Sequence, residues 1–193
     1  MKIVALCLFI AVPLLAQQHE LGFQLGRMAA NSRETVRLGS GTSLQFNYGY
    51  RLADLGKAAL YGEVHFLANP QRIVGSGLAT ATRDVATIFL TPGLKLKLFP
   101  KGRVSPYAMA GGGWALFEQS TSQLNGQPNP APRTVNKGVF VYGGGVDFHV
   151  VRHFGLRAEV RDFYSGSPAY NIPSLTGGQR NAVVSGGFVI TFH

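Results

Sequence analysis

Seven charged residues stand at spacings that strand geometry would gather onto one face. Lys95 and Lys97 are two apart, Arg157, Glu159 and Arg161 run two by two, and Glu63 and Asp147 fall on the polar phase of their own segments. Successive side chains alternate across a strand, so residues at i, i+2 and i+4 share a side. Four cations against three carboxylates leave this set at +1. Isolated buried charges are costly while paired, hydrogen-bonded ones persist, so the expected chemistry is an ion-pair network plugging an enclosed space. A sharper version makes it a gated pore, with Glu63 exchanging partners between Arg157 and Arg161.

Other candidates are weaker. His19, His65, His149, His153 and His193 are scattered without metal-ligand spacing, although His65 and His149 share the charged face. Gly111 to Gly113 and Gly143 to Gly145 do not open a helix and lack the Gly-Lys-Ser/Thr that a phosphate loop needs. Ser165 and Ser167 lie near Asp162, but no histidine falls in that segment or in any long loop, so a nucleophile-base-acid set is not supplied. Cys7 belongs to the first sixteen residues, which removes thiol chemistry from the rest of the chain. The expectation is therefore no catalytic residue, no cofactor and no metal.

The elements that must carry the charges are eight alternating segments: Glu20 to Arg27, Ser43 to Arg51, Ala58 to Leu67, Val85 to Leu98, Ser105 to Phe117, Val139 to Val150, Phe154 to Phe163 and Ala182 to Phe192. One phase of each is apolar and glycine-rich, as in Leu21-x-Phe23-x-Leu25 or Leu94-x-Leu96-x-Leu98. The other phase carries the seven charges above, together with Gln24, Gln45, Asn47, Thr87, Thr91, Ser185 and Thr191. Connections alternate between tight ones (52–57, 99–104, 151–153) and long ones (28–42, 68–84, 118–138, 164–181). An even strand count with short turns at one end and long loops at the other describes an outer-membrane barrel. Pro92 interrupts the fourth segment, since proline cannot donate to a ladder: either a bulge forms at Thr91-Pro92-Gly93, or the strand breaks there and the barrel has ten shorter strands, with the chain length fitting eight better.

Composition agrees. The chain has 193 residues, 25 glycines, 11% aromatic residues, only 14% charged residues and a net charge of +9. That excludes a disordered chain and disfavours a helical bundle. Met1-Lys2, the apolar run Ile3 to Val12 and the small Ala16 read as an export leader over residues 1–16, with the barrel domain over 17–193. Gln17 after the cut, rather than cysteine, excludes a lipid anchor. The long loops carry Arg33, Arg37, Arg72, Arg83, Arg133, Lys137 and Arg180 against Glu34, Asp84 and Glu118, a net +4 suited to anionic lipopolysaccharide. These charges are dispersed and lack the basic, aromatic-lined strip of a nucleic-acid site. Phe46, Tyr48, Tyr50, Phe66, Trp114, Phe140, Tyr142 and Phe148 fall on the apolar phase, where a membrane barrel keeps its aromatic belt.

Three stretches carry a resemblance: Ser105-Pro106-Tyr107-Ala108-Met109-Ala110-Gly111-Gly112-Gly113-Trp114, Val141 to Phe148 with Gly155 to Phe163, and Gly187-Phe188-Val189-Ile190-Thr191-Phe192. Together they resemble the small bacterial outer-membrane β-barrel family typified by OmpA and OmpX. The resemblance implies an all-β, eight-stranded antiparallel up-and-down transmembrane β-barrel with four long outer loops and short periplasmic turns, located in the bacterial outer membrane. It implies outer-membrane lipid, lipopolysaccharide and the barrel-insertion machinery as partners, the last reading Phe188, Ile190 and Phe192. Here His193 follows Phe192, a departure of one residue from the family ending. The resulting expectation is a structural or surface-interaction barrel, neither a general porin nor an enzyme. Two rivals stay open: a soluble periplasmic lipocalin-like barrel holding a small apolar ligand, and a lipid A-modifying barrel enzyme.

Overall fold

The computed structural model describes residues 18–31, 36–172 and 177–192, so the proposed leader lies outside the described residues. Nine strands form: β1 (His19–Ala30), β2 (Val36–Leu38), β3 (Gly41–Asp54), β4 (Ala58–Ser76), β5 (Asp84–Leu98), β6 (Val104–Gln119), β7 (Thr134–Val151), β8 (Phe154–Gly166) and β9 (Gly178–Phe192). Eight of them close a ring in which each chain neighbour is a sheet neighbour, β1–β3–β4–β5–β6–β7–β8–β9, with β9 returning to β1 and every pairing antiparallel. No strand of the ring is left with a free edge, which is what lets a sheet sit in hydrocarbon. The short β2 lies outside the ring and pairs only with the far end of β4.

The alternation sets inside and outside. Leu25 (62% exposed), Leu94 (54%) and Val160 (53%) face out, whereas Phe89, Lys95 and Asp147 (all 0%) face the lumen. An inverted, lipocalin-like arrangement with the apolar phase inward is therefore not the one adopted. Short turns gather at one end. Gly56 takes φ 78° in the β3–β4 turn, where its N–H donates to Asp54 Oδ1 at 2.9 Å.

Two strand expectations need correction. The strands run further towards the long-loop end than the apolar alternation does: β4 reaches Ser76 and β7 begins at Thr134. Beyond Leu67 the outward phase no longer has to be apolar, so hydropathy stops marking a strand that backbone pairing still maintains. The bulge is also misplaced. The β4–β5 register passes unbroken through Val64↔Pro92 and shifts only between Asn69 and Arg72, the stretch containing Pro70. Pro92 needs no bulge because β6 opposes it with glycines and pairing resumes in register at Gly93↔Gly111. A Cβ on Gly111 would lie 2.4 Å from the Pro92 carbonyl oxygen, so only glycine admits this approach.

The β1–β9 seam rests on a similar contact. A Cβ on Gly187 would meet Phe23 O at 2.0 Å and Gln24 Cα at 2.7 Å, both backbone of the partner strand, while at Gly186 the nearest atom is 3.8 Å away. Gly187→Val is expected to deplete the fast-migrating band of unheated samples on gels, and Gly186→Val to leave it; equal bands for the two would show that the seam tolerates a side chain.

Candidate functional site

The barrel lumen is filled in three tiers, beginning at the short-turn end with the charges. Lys95 Nζ donates to Glu63 Oε2 at 2.7 Å and to Glu20 Oε2 at 2.9 Å. Lys97 contacts Glu20 and, at 2.5 Å, Asp147 Oδ2. Arg157 grips Asp147 with two parallel bonds of 2.6 and 2.7 Å and reaches Glu20 at 3.3 Å. Arg161 donates to Glu159 at 2.5 and 2.7 Å and to Glu63 Oε1 at 2.7 Å. The seven residues picked out above are thus brought together, and an eighth, Glu20, joins them. All eight are buried.

Glu20 changes the sum. With four carboxylates against four cations, the cluster is neutral rather than +1. The odd charge was itself a signal of a missing carboxylate, and Glu20 sits four residues before Gln24 on the same phase. Of the two arginines named for the gate, Arg161 is the one that holds Glu63, together with Lys95, while Arg157 pairs with Asp147 and Glu20. Two tyrosines line the cluster. Tyr107 donates to Glu159 Oε2 at 2.6 Å, and the Arg157 guanidinium lies 4.9 Å from its ring centroid. The Lys95 ammonium lies 5.3 Å from the Tyr61 ring.

Above the charges lies an apolar layer that polarity alone did not reveal. Phe89 stacks on Phe163 at 4.6 Å and meets Phe117 edge-on at 6.2 Å, with Met28, Leu67, Met109 and Val141 packed around them. His65 marks the boundary, its Nε2 3.1 Å from Gln45 Oε1. His149 sits apart at the short-turn mouth with Nδ1 2.9 Å from the Gly102 carbonyl, which fixes Nδ1 as the protonated nitrogen. The two are held in separate hydrogen-bond systems.

The third tier is polar and roofed by loops. Arg72 donates to Asn181 Oδ1 at 2.8 Å and Thr87 Oγ1 at 3.0 Å. This arginine, expected among the outer loop charges, is 1% exposed. The Asn69–Arg72 bulge places it on the inward phase. Tyr170 donates to Gln179 Oε1 at 2.6 Å and its carbonyl accepts from Thr82 N at 3.0 Å, tying the β8–β9 loop to the β4–β5 loop. Burial pushes the Tyr170 phenol up to about 12, so it stays a donor.

The outward residues form a wall. Phe66, Trp114, Phe140, Tyr142 and Phe148 are exposed and Phe46, Tyr48 and Tyr50 half-buried, all on the outer surface. Trp114 Nε1 donates to Asn136 Oδ1 at 3.0 Å and Tyr142 to Asp162 Oδ2 at 3.0 Å. Phe188, Ile190 and Phe192 face out too, with Phe192 stacked on His19 at 5.3 Å; His193 is outside the described residues. Three of the loop cations are paired: Arg83 with Asp84 (2.9 Å), Arg133 with Glu118 (2.7 Å) and Arg180 with Asp162. Asp162 therefore points outward to Arg180 while Ser165 is buried on the inner side, which separates an acid from a nucleophile. Among the described residues no three His, Cys, Asp or Glu side chains converge as metal ligands.

Residues 3–192 match the family described as outer membrane protein beta-barrel domain. No match was found among curated proteins. Solved structures similar in fold include Neisserial surface protein A (15% identity, TM-score 0.58, covering 91% of this chain and 97% of that one). Ail, the attachment invasion locus protein of Yersinia pestis, in complex with the heparin analogue sucrose octasulfate, is similar at 15% identity and TM-score 0.53 with the same coverages. OprG from Pseudomonas aeruginosa is similar at 16% identity and TM-score 0.51, covering 92% and 96%.

Removing one member of a buried ion cluster leaves one buried charge uncompensated. Glu20→Gln, which strips a carboxylate from Lys95, Lys97 and Arg157, is expected to cost about 3–5 kcal/mol. Glu118→Gln, at an exposed pair, should cost no more than about 1 kcal/mol. Urea unfolding of the barrel in lipid vesicles compares them.

Proposed function

The chain belongs to the outer membrane protein beta-barrel domain family, and we propose that in the bacterial outer membrane it serves as a closed, non-enzymatic barrel that displays its long-loop end to the surface. One observation carries this reading: the lumen is sealed in series by a neutral ion cluster, an aromatic layer and a loop roof held by Tyr170. A general porin needs a water-filled channel, and an eight-stranded barrel has little room beyond its own side chains. The separation of Asp162 from Ser165 supports a non-enzymatic role over lipid A modification. The export leader over residues 1–16 and the reading of Phe188, Ile190 and Phe192 by the insertion machinery remain part of this proposal.

The surface partner we propose is lipopolysaccharide. Arg27 and Arg37 are exposed near the long-loop end and have no carboxylate partner among the described residues, Arg27 being held by Ser40 at 3.0 Å. The complex of Ail with sucrose octasulfate, a polyanion, is in keeping with anionic sugar binding at this fold.

Planar-bilayer recordings of the purified full chain should show no single-channel steps; ohmic steps in wild type would reject a closed lumen. Arg27→Gln with Arg37→Gln should lower co-purifying lipopolysaccharide several-fold, whereas Arg83→Gln, whose charge is already answered by Asp84, should not. Equal amounts in all three would remove lipopolysaccharide as the partner of this face.

A further inference from the structure

The largest group of unanswered charges lies at the other end of the molecule. Arg51, Lys57, Lys101, Arg103 and Arg152 crowd the short turns against a single carboxylate, Asp54, a net +4. Only Arg51 touches it, at 3.5 Å. Among the described residues no other carboxylate near this mouth is spare, because those of the lower lumen are committed to Lys95, Lys97, Arg157 and Arg161. Four of these cations border a cavity of about 560 Å³ at the barrel mouth, lined by Arg51, Lys101, Arg103, His149, Arg152 and Thr191 among others, while Lys57 lies outside it on the β3–β4 turn.

The cavity has a fixed frame. His149 N donates to Arg103 O at 2.9 Å, Thr191 N to His153 O at 3.0 Å and Arg51 N to Gln18 O at 3.0 Å, so each short element is tied to its neighbour. His149 and His153 each set a ring Nδ1 2.9 Å from a carbonyl of the same frame. Register shifts at Arg51/Ala53 and His149/Val151 flare the rim, as bulges at barrel ends do.

Its outer lip is apolar. The Arg103 guanidinium lies 5.4 Å from the Phe148 ring centroid, and Phe148 belongs to the outward wall. Val150, Val151 and Phe154 flank Arg152 and are exposed. Cations set at the lower edge of an apolar belt face a headgroup layer with acyl chains beside them. In this family the short turns lie on the periplasmic side.

We infer that the short-turn mouth is a binding site for the phosphate headgroup of an anionic phospholipid of the periplasmic leaflet, its acyl chains lying on Phe148, Val150 and Phe154. The site lies at the opposite end from the lipopolysaccharide face and shares with that reading only the membrane orientation. It would give the barrel a polar clamp on each leaflet.

The full chain in zwitterionic detergent is equilibrated with equal dioleoyl-phosphatidylglycerol and dioleoyl-phosphatidylcholine, and bound lipid is read by native mass spectrometry. Phosphatidylglycerol adducts should exceed phosphatidylcholine adducts by roughly tenfold, a ratio that two of the cations suffice to produce. Arg103→Gln with Arg152→Gln should bring the ratio near one, while Arg83→Gln with Arg133→Gln, whose charges are answered by Asp84 and Glu118, should keep it. A ratio that survives the first pair overturns the site. Loss of the preference in wild type on adding millimolar inorganic phosphate would overturn the lipid assignment and leave a site for free phosphate. Should the first pair fail to give the fast-migrating unheated band, Arg51→Gln with Lys101→Gln removes charge from the same mouth away from Phe148, and the same fall in ratio is required. Bilayer conductance and lipopolysaccharide recovery are unaffected by these outcomes, so failure here is distinguishable from failure of the proposed function.

Discussion

Hydrocarbon offers no hydrogen bonds, and the structure follows from that constraint. Each strand N–H and C=O facing a neighbour must find its partner in the protein, and the ring provides one on both sides of every strand, the last being the β9–β1 seam from His19↔Phe192 to Ala30↔Asn181. Closure at this strand number leaves a narrow lumen, so half of the side chains have nowhere to go but against one another. The outer half meets lipid. Polarity is therefore assigned by phase: Lys95 and Lys97 inward, Leu94, Leu96 and Leu98 outward. Where bulk would obstruct closure, glycine replaces it, as at Gly145, whose Cβ would fall 2.6 Å from the Tyr107 hydroxyl.

Filling that lumen with charge works only because the charges cancel locally. Glu20 touches three cations, and each other carboxylate touches one or two. No member can leave without unbalancing the cluster by one buried charge, and a partly satisfied buried network is worse than an apolar filling. This is a poor design for a gate that exchanges partners and a good one for a plug. The aromatic layer of Phe89, Phe117 and Phe163 reinforces it, as it supplies no group with which a passing ion could replace its water.

The eight ring strands were legible because lipid outside and confinement inside act on the same residues with opposite demands, which is why Leu94-Lys95-Leu96-Lys97 reads so plainly. Legibility ended where one demand lapsed. Phe89, Phe117 and Phe163 lie on the inward phase but are apolar, and a phase that admits both polar and apolar residues tells nothing of what packs at each height. Glu20 opens its strand with no alternation before it. Above the lipid, β4 continues through Pro70 and Arg72, where hydropathy ceases to discriminate and the backbone ladder alone defines the strand; hence Arg72 was counted as a loop charge although it points inward.

The same reasoning shows why net charge alone misdirects. Sequence places the excess of cations in the long loops, but pairing redistributes it: Arg83, Arg133 and Arg180 have carboxylates beside them and Arg72 is enclosed. The ion cluster of the lower lumen is neutral. What stays available lies in a few outer residues such as Arg27 and Arg37 and in the unpaired cations of the short turns, where only Asp54 offers opposition. Charge that is paired carries little field beyond about a Debye length, roughly 8 Å at physiological salt. A field at the membrane surface therefore depends on where carboxylates are missing, and in this barrel they are most conspicuously missing at the mouth bounded by Arg103 and Arg152.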